Sequence, residues 1–241
     1  MRPRDRATNQ LRPLTFELGF TKQAAGSVLV RSGMTVVLCT CSLEMAVPPF
    51  LVGKGTGWLT AEYGMLPGST LGRKPRDKGG KVDGRAVEIQ RLIGRSLRAV
   101  VDLSKLGERT LWLDCDVLEA DGGTRTAAIN GAFVALAQAL HKHRDVVGPA
   151  KQIVTDSVAA ISVGLLGDEE RLDLEYVEDR DADVDMNLVM TGSGKFIEVQ
   201  GAGEEATFTA DQLYRLIDLG KAGIAEVTRL QEIALGVGWP L

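Results

Sequence analysis

Histidine and cysteine are scarce in this 241-residue sequence, which has two histidines and three cysteines. Cys39 and Cys41 alternate within one apolar run and would share one face of a strand, whereas His141 and His143 lie far away in sequence. This spacing does not match a zinc site and favours the cysteines as small core residues. The histidines follow a predicted helix and complement its C-terminal dipole. Acid–base chemistry would therefore depend on carboxylates.

Long apolar runs are also missing. None approaches the roughly 20 residues that span a bilayer, and the N-terminal stretch MRPRDRATNQLRP lacks the apolar centre of a secretory signal. The hydrophobic fraction of 44% and the charged fraction of 25% are typical of a soluble globular protein. We therefore expect a cytoplasmic protein without a membrane partner.

The chain as a whole has no excess of basic charge, since its net charge is −4, but the charge is unevenly distributed. Between Arg73 and Arg98, nine lysines and arginines face three acidic residues; between Asp168 and Asp185, ten acidic residues face two arginines. The first segment would attract a polyanion and the second a divalent cation. Two solvated surfaces without a ligand are the alternative interpretation.

Strand patterns and helix patterns follow one another in both halves of the sequence. Strands are predicted in SVLVRSGMTVVLCTCSL (a hairpin), GTGWLTAEYGML, RTLWLDCDVLEAD, DSVAAISVGLLG, RLDLEYVED, VDMNLVMTG and KFIEVQG. Helices are predicted in RAVEIQRLIGRSLRAVVDL, in the apolar run up to Leu140, and from about Ala210 to Leu235. The fold class is therefore α+β, and residues 1–241 are expected to form a single domain of two similar β–α units with mixed sheets and packed helices.

Two predicted helices begin with an arginine, where the helix dipole favours an acid. Arg85 follows KVDG, and Arg125 follows the turn Asp121-Gly122-Gly123-Thr124. A bound phosphate would resolve both conflicts, because glycine admits backbone N–H groups to an anion, Thr124 offers a hydroxyl and arginine contacts two oxygens. The alternative is a glycine turn whose arginine extends into solvent. The phosphate-loop and dinucleotide-binding patterns are both absent, which argues against an NTPase or a Rossmann enzyme.

The acidic stretch YVEDRDADVDMN suggests a metal site. If 184–189 is a strand, Asp185 faces away from the core, and Asp179 would end the preceding strand or begin the loop. Two carboxylates with open coordination positions suit Mg²⁺ shared with substrate phosphates. Solvated loop acids are the alternative.

Together these stretches resemble the ribonuclease PH family of phosphate-dependent exoribonucleases, which trim the 3′ ends of tRNA precursors. The resemblance runs nearly end to end through NQLRP, FTKQAAGSVLV, GWLTAEYGMLP, EIQRLIGRSLRA, LDCDVLEADGGTRTAAINGA, LEYVEDRDADVDMN and FIEVQG. It implies two similar β–α units, a homo-hexamer made as a trimer of dimers, Mg²⁺ as cofactor, and inorganic phosphate as a co-substrate that releases nucleoside diphosphates. A non-catalytic RNA-binding ring subunit of a larger exonuclease complex is the alternative.

The resemblance also assigns residues. Arg85 and the turn Gly123, Thr124 and Arg125 match the family's phosphate site, and Asp179 and Asp185 match its catalytic, metal-binding carboxylates. Arg73 and Arg76 match loop arginines that hold tRNA, and Arg91 is a further candidate for RNA contact.

The loop with these arginines, PGSTLGRKPRDKGGKVDG, is predicted to be long and mobile, because it lacks an apolar period. It departs from the family at Gly68, where arginine is common.

Overall fold

The computed structural model of the protein describes residues 2, 5–76, 83–203 and 206–241. Nine strands occur in this part of the chain: β1 Leu14–Leu18, β2 Gly26–Ser32, β3 Thr35–Glu44, β4 Trp58–Met65, β5 Thr110–Glu119, β6 Val158–Leu166, β7 Glu169–Leu172, β8 Val184–Thr191 and β9 Phe196–Gly203. They form a five-stranded sheet in the order β1-β2-β3-β5-β4 and a four-stranded sheet in the order β7-β6-β8-β9. The β4–β5 pair is parallel and the other pairs are antiparallel.

Three long helices accompany the sheets: α1 Gly84–Arg98, α3 Thr124–Lys142 and α7 Ala210–Leu235. The short helices are α2 Leu103–Leu106, α4 Arg144–Val147, α5 Ala150–Ile153 and α6 Tyr176–Asp181. The helices predicted from sequence are thus confirmed, and the last one has the predicted bounds. The α+β class is confirmed as well.

Helix α3 is buried on nearly all sides because it packs against β2 and β3 of one sheet and β6 of the other. Two glycines allow the close approach. A Cβ at Gly26 would lie 1.9 Å from the Ala135 carbonyl oxygen, and a Cβ at Gly131 would lie 2.3 Å from Val30. On the other side, the Asn130 amide exchanges hydrogen bonds with the backbone of Ala160. A single helix therefore connects both sheets, while the expectation of one domain over 1–241 stays a prediction.

Helix α1 has the predicted apolar face, which packs against β4. The residues of this face are all buried: Ile89, Leu92, Ile93 and Leu97, followed by Val100 just beyond the helix. The Asp83 carboxylate caps the helix by accepting a hydrogen bond from the Arg85 backbone N–H at 3.0 Å. Arg85 is therefore the second residue of the helix, and its side chain is exposed.

One predicted strand is wrong in its second half. The stretch RLDLEYVED forms β7 only as far as Leu172 and then turns into helix α6. A capping box stabilises the start of α6: the Glu175 side chain accepts from the backbone N–H of Glu178, and the Glu178 side chain accepts from the backbone N–H of Glu175. This local stabilisation favours a helix although the apolar residues alternate as in a strand. Asp179 therefore lies on a helix and not at a strand end.

Strand β1 was not predicted from the sequence, although it pairs with β2 over its whole length. Of the helices in the described ranges, none has the length and apolar character that crossing a membrane requires.

Candidate active site

The glycine turn between β5 and α3 is held by hydrogen bonds from β3. Gly122 and Gly123 have φ angles of 74° and 65°, a left-handed conformation that favours glycine. The Thr35 hydroxyl donates to the Gly122 carbonyl oxygen at 2.7 Å and accepts from the Asp121 N–H at 2.9 Å. A Cβ at Gly122 would lie 2.8 Å from backbone atoms of 174–176, so glycine also lets the turn touch the start of α6.

The start of α3 lies at the end of this turn. Gly123 is the N-cap residue, and no side chain caps the helix. The first backbone N–H groups of a helix have no acceptor within it, and together with the helix dipole they favour a bound anion. The structure therefore confirms the glycine turn at a helix start that the sequence indicated, with Thr124 and Arg125 as the first two helical residues.

A cavity of about 760 Å³ opens beside the turn. Its lining includes Gly123 and Thr124 from the turn, Arg85 from α1 and Asp179 from α6. Among the described residues, no hydrogen bond or ion pair occupies the Arg85 guanidinium. An anion in the cavity would thus find the helix start with the Thr124 residue, the Arg85 residue and one carboxylate, that of Asp179, among the lining residues.

Arg125 does not line this cavity but lies beside it. Its guanidinium donates to the Gln200 side-chain oxygen at 2.6 Å and to the Glu88 carboxylate at 3.3 Å. Only 14% of the side chain is exposed. Its charge still acts on the site, because it opposes the rise in the pKa of Asp179 that burial and Asp185 cause. Contact with the same anion as Arg85 would require the Arg125 guanidinium to leave Gln200 or share its donors.

Two carboxylates come from consecutive elements of the chain, Asp179 from helix α6 and Asp185 from strand β8. The side chain of Asp185, on β8, alternates with the buried Val184 and Met186, which confirms that it faces away from the core. The pKa of Asp179 is raised, first because the carboxylate is partly removed from water and second because Asp185 is close; Arg85 and Arg125 oppose this shift. The two carboxylates therefore repel each other in the absence of a cation.

This donor set fits Mg²⁺ held by Asp179 and Asp185. Carboxylate oxygens are its preferred ligands, it commonly keeps open positions for water and substrate phosphates, and a divalent cation would relieve the repulsion between the two acids. A group of three or more potential metal-ligating side chains was not found in residues 5–76, 83–203 or 206–241.

Two residues of the site were missed by sequence reasoning. The Arg12 guanidinium donates to the carbonyl oxygen of Asp121 in the glycine turn at 2.7 Å and to the Asp173 carboxylate at 2.6 Å, just before α6. The Tyr63 hydroxyl donates to the Thr124 hydroxyl at 2.9 Å. Both bonds join residues more than 60 positions apart, so no local pattern reveals them. Only the stretches NQLRP and GWLTAEYGMLP, quoted for the resemblance, pointed to their neighbourhoods.

The candidate RNA-binding arginines lie outside the cavity. Arg73 and Arg76 are exposed in the loop after β4, and Arg91 is exposed on α1. The beginning of that loop is anchored, because the buried Ser69 accepts a hydrogen bond from the Ala120 N–H through its carbonyl oxygen. A Cβ at Gly68 would meet no atom within 4 Å, so a larger residue would fit there. The lysines at 78 and 81 lie outside the described residues.

Comparison with protein families decides the affiliation of the chain. Residues 10–141 match the model of domain 1 of the 3′ exoribonuclease family, and residues 156–223 match the model of domain 2. The chain belongs to this family. The first match covers the five-stranded sheet with α1 and nearly all of α3, and the second covers the four-stranded sheet and part of α7.

Curated relatives are similar over nearly their whole length. The ribonuclease PH of Rhodopirellula baltica is 57% identical over 236 residues, which cover 95% of this chain and 96% of the relative. The ribonuclease PH of Bacillus subtilis is 54% identical over 244 residues, which cover 100% of this chain and 99% of the relative. The recognition of ribonuclease PH from the sequence motifs is thereby confirmed.

Solved structures support the fold. The crystal structure of Rrp46 from rice superposes with a TM-score of 0.78 at 20% identity, covering 97% of this chain and 100% of that chain. A chain of the Archaeoglobus fulgidus exosome with RNA bound to the active site superposes with a TM-score of 0.75 at 19% identity, covering 95% of this chain and 91% of that one. At this identity the likeness concerns the fold alone.

Proposed function

We propose that the protein is a phosphorolytic 3′-to-5′ exoribonuclease that trims the 3′ ends of tRNA precursors. An oxygen of inorganic phosphate attacks the phosphorus of the last phosphodiester, the bond to the 3′ oxygen of the preceding nucleotide breaks, and that oxygen takes up a proton. The products are a nucleoside diphosphate and an RNA shortened by one nucleotide. The observation behind this proposal is one cavity that is lined by a glycine turn at a helix start, by Arg85 and by Asp179.

The arrangement addresses the main electrostatic obstacle of the reaction. Two unit negative charges 4 Å apart repel by about 4 kcal/mol at an effective dielectric constant of 20. In our proposal, Arg85 and the N–H groups of Gly123 and Thr124 hold the phosphate, and Arg125 adds positive charge from the side. Holding the nucleophile in line with the phosphodiester also removes part of the entropic barrier.

Asp179 and Asp185 would hold Mg²⁺ in this proposal. When bound, the ion supplies positive charge that neutralises the transferring phosphoryl group. The pKa of Asp179 is raised, first by burial and second by the charge of Asp185, and a bound cation would counteract this shift.

A non-catalytic ring subunit that only binds RNA is the competing function. The structural neighbours include a chain from an exosome, so the fold by itself does not distinguish this function from that of an enzyme. The presence of Arg85 and Asp179 in one cavity, with Arg125 and Asp185 acting on the charge of the site from nearby, favours an enzyme, since RNA binding alone does not need a helix-start anion site beside acids.

The deciding experiment incubates the purified protein with a 3′-extended tRNA precursor and Mg²⁺, with and without inorganic phosphate. We expect nucleoside diphosphates to be released only when phosphate is present. Arg85→Ala should abolish this release, while the control Arg229→Ala, which removes an exposed charge on α7, should leave it unchanged. Release of nucleoside monophosphates at full rate without phosphate would indicate hydrolysis and overturn the proposal.

The RNA partner is proposed to contact Arg73, Arg76 and Arg91 through its phosphates. Support comes from their exposure and from the local excess of basic residues between Arg73 and Arg98. Contacts of this kind position the RNA without reading its sequence.

We further propose a homo-hexamer in the cytoplasm. Strand β9 lies at an edge of its sheet and exposes Phe196 and Val199, which a neighbouring subunit would cover. Light scattering on an active preparation tests this assembly, and a monomer across micromolar concentrations would contradict it.

A further inference from the structure

Tyr63 is the last buried residue of strand β4. Leu59, Ala61 and Tyr63 are buried on one face of the strand, whereas Glu62 between them is exposed. This alternation brings the ring of Tyr63 into the core below the start of α3. Only 7% of the residue is exposed, so its hydroxyl has to find a partner within the protein.

That partner is the hydroxyl of Thr124. The Tyr63 hydroxyl donates to the Thr124 Oγ1 atom at 2.9 Å, and no other hydrogen bond of either hydroxyl occurs among the described residues. Burial raises the pKa of Tyr63, although the hydrogen bond with Thr124 and the charge of Arg85 act in the opposite direction. The phenol therefore stays protonated and remains a donor at neutral pH.

The hydrogen bond from Tyr63 limits where the hydroxyl hydrogen of Thr124 can point. The oxygen uses one lone pair to accept from Tyr63, and its own hydrogen has to point elsewhere. Thr124 is the first residue of α3 and lines the cavity, next to the unpaired backbone N–H groups of the helix start. The free hydrogen is thus available on the side where an anion would bind.

We propose that Tyr63 is a positioning residue for inorganic phosphate, which acts by holding the Thr124 hydroxyl as a hydrogen-bond donor towards the cavity. The inference rests on the proposed phosphorolytic function and assigns a role to a residue outside the predicted site. Tyr63 itself does not touch the phosphate. Its removal should weaken phosphate binding through Thr124 alone and leave the binding of RNA unaffected.

The test is a double-mutant cycle on Tyr63→Phe and Thr124→Val, read as the KM for phosphate at saturating RNA. Tyr63→Phe keeps the ring in the core and should raise this KM about fivefold, the size of one hydrogen bond. Thr124→Val removes the donor to the anion and should raise it about tenfold or more. The double variant should resemble Thr124→Val alone, because Tyr63 acts only through that hydroxyl.

Two further variants separate positioning from packing. In a Thr124→Ser background the hydroxyl remains, and Tyr63→Phe should again raise the KM for phosphate about fivefold. The control Tyr214→Phe removes an exposed phenol from α7 and should change nothing. The KM for RNA should stay within about twofold of the parent in every variant, which a general loss of structure would not allow.

A binding measurement makes the result independent of turnover. Phosphate should raise the Tm of the parent, and the rise should be smaller for Tyr63→Phe at the same phosphate concentration. If the parent needs phosphate and Tyr63→Phe leaves both the KM for phosphate and the Tm response to phosphate unchanged, this inference is overturned while the proposed function stands. The inference would also be overturned if Tyr63→Phe raised the KM for phosphate by the same factor in the parent and in Thr124→Val. A parent that does not need phosphate would instead overturn the proposed function.

Discussion

Two neighbouring regions of the molecule contain the same kinds of side chain and use them in opposite ways. A buried ion cluster consists of Arg2, Arg6, Arg12, Asp173 and Glu178, whose ion pairs have N–O distances of 2.6–2.9 Å at their shortest. In the candidate active site, Arg85 and Asp179 line one cavity without an ion pair between them in the described chain, and Arg125 beside it pairs with Glu88. Direct pairing neutralises the charges of the cluster, whereas Arg85 and Asp179 stay apart and available for a ligand.

The pKa directions express this difference. Burial would raise the pKa of Asp173, but the charge and hydrogen bonds of Arg12 lower it below its usual value. The pKa of Asp179 is raised, by burial first and by Asp185 second, and the nearby arginines do not reverse the shift. The ionised form is thus stabilised in the cluster and disfavoured in the cavity until a cation arrives.

The largest effect is expected from Arg12→Leu. Breaking a buried ion pair leaves an uncompensated charge, which typically costs about 3–5 kcal/mol, and Arg12 also holds the glycine turn. Urea unfolding should therefore show a loss of this size, while Arg85→Ala should stay within about 0.5 kcal/mol of the parent. Similar unfolding free energies for the two variants would erase the distinction between cluster and cavity.

Asp185→Asn is expected to affect turnover and not the fold. Loss of one preorganised charged group costs about 100-fold to 1,000-fold in rate, and the substitution removes the repulsion with Asp179. Phosphorolysis of a tRNA precursor should fall by at least that lower factor, with an unfolding free energy equal to or above that of the parent. A variant with nearly full turnover would show that Asp185 is only a solvated acid.

The third prediction concerns the pH dependence of stability and pairs Asp173→Asn with Asp179→Asn. The lowered pKa of Asp173 stabilises the parent above the unfolded-state value of about 3.9, and this contribution is lost as the pH falls through the folded-state pKa. The raised pKa of Asp179 destabilises the parent above the folded-state pKa, and the penalty vanishes below the unfolded-state value.

Asp173→Asn should therefore be less stable than the parent at neutral pH, and Asp179→Asn more stable. The Asp179→Asn difference should shrink as the pH falls through the raised folded-state pKa and vanish below about 4, whereas the Asp173→Asn difference should begin to shrink only below about 4. Urea unfolding between pH 3 and pH 7 measures them. Differences of the same sign for the two variants would contradict the opposite pKa shifts.

The smallest effect is expected from removing the exposed arginines Arg73 and Arg76 together. They make no ion pair in the described chain, so stability should hardly change. Binding of tRNA should weaken, and the slope of log affinity against log salt should flatten by about 1–2 units as two phosphate contacts are lost. A short single-stranded RNA should still be degraded at nearly the parent rate. Equal losses on both substrates would place the loop in the reaction centre.

Sequence reasoning identified the local features of the site and missed the long-range ones. The turn before Thr124 was predictable because glycine and a misplaced cation stand out within a few residues. The helix that bears Asp179 was not predictable, because the pattern of RLDLEYVED alternates like a strand. In the folded chain, Glu178 of this helix accepts hydrogen bonds from Arg2 and Arg6, which lie more than 170 residues earlier. Such contacts depend on the assembled fold, which a local pattern does not contain.

The rate at which the three cysteines react with a thiol reagent would measure motions next to the candidate active site. Cys39 and Cys115 lie beneath α3, with their sulfur atoms 3.7 Å and 3.8 Å from the Ala128 carbonyl oxygen, and Cys41 is fully buried beside them. Burial raises the pKa of Cys41, and for Cys115 the hydrogen bond with Cys39 and burial have the same effect. Since only an accessible thiolate reacts, a chromogenic thiol reagent would report how often helix α3 separates from its sheet. If phosphate binds at the glycine turn as proposed, saturating phosphate should slow that colour change.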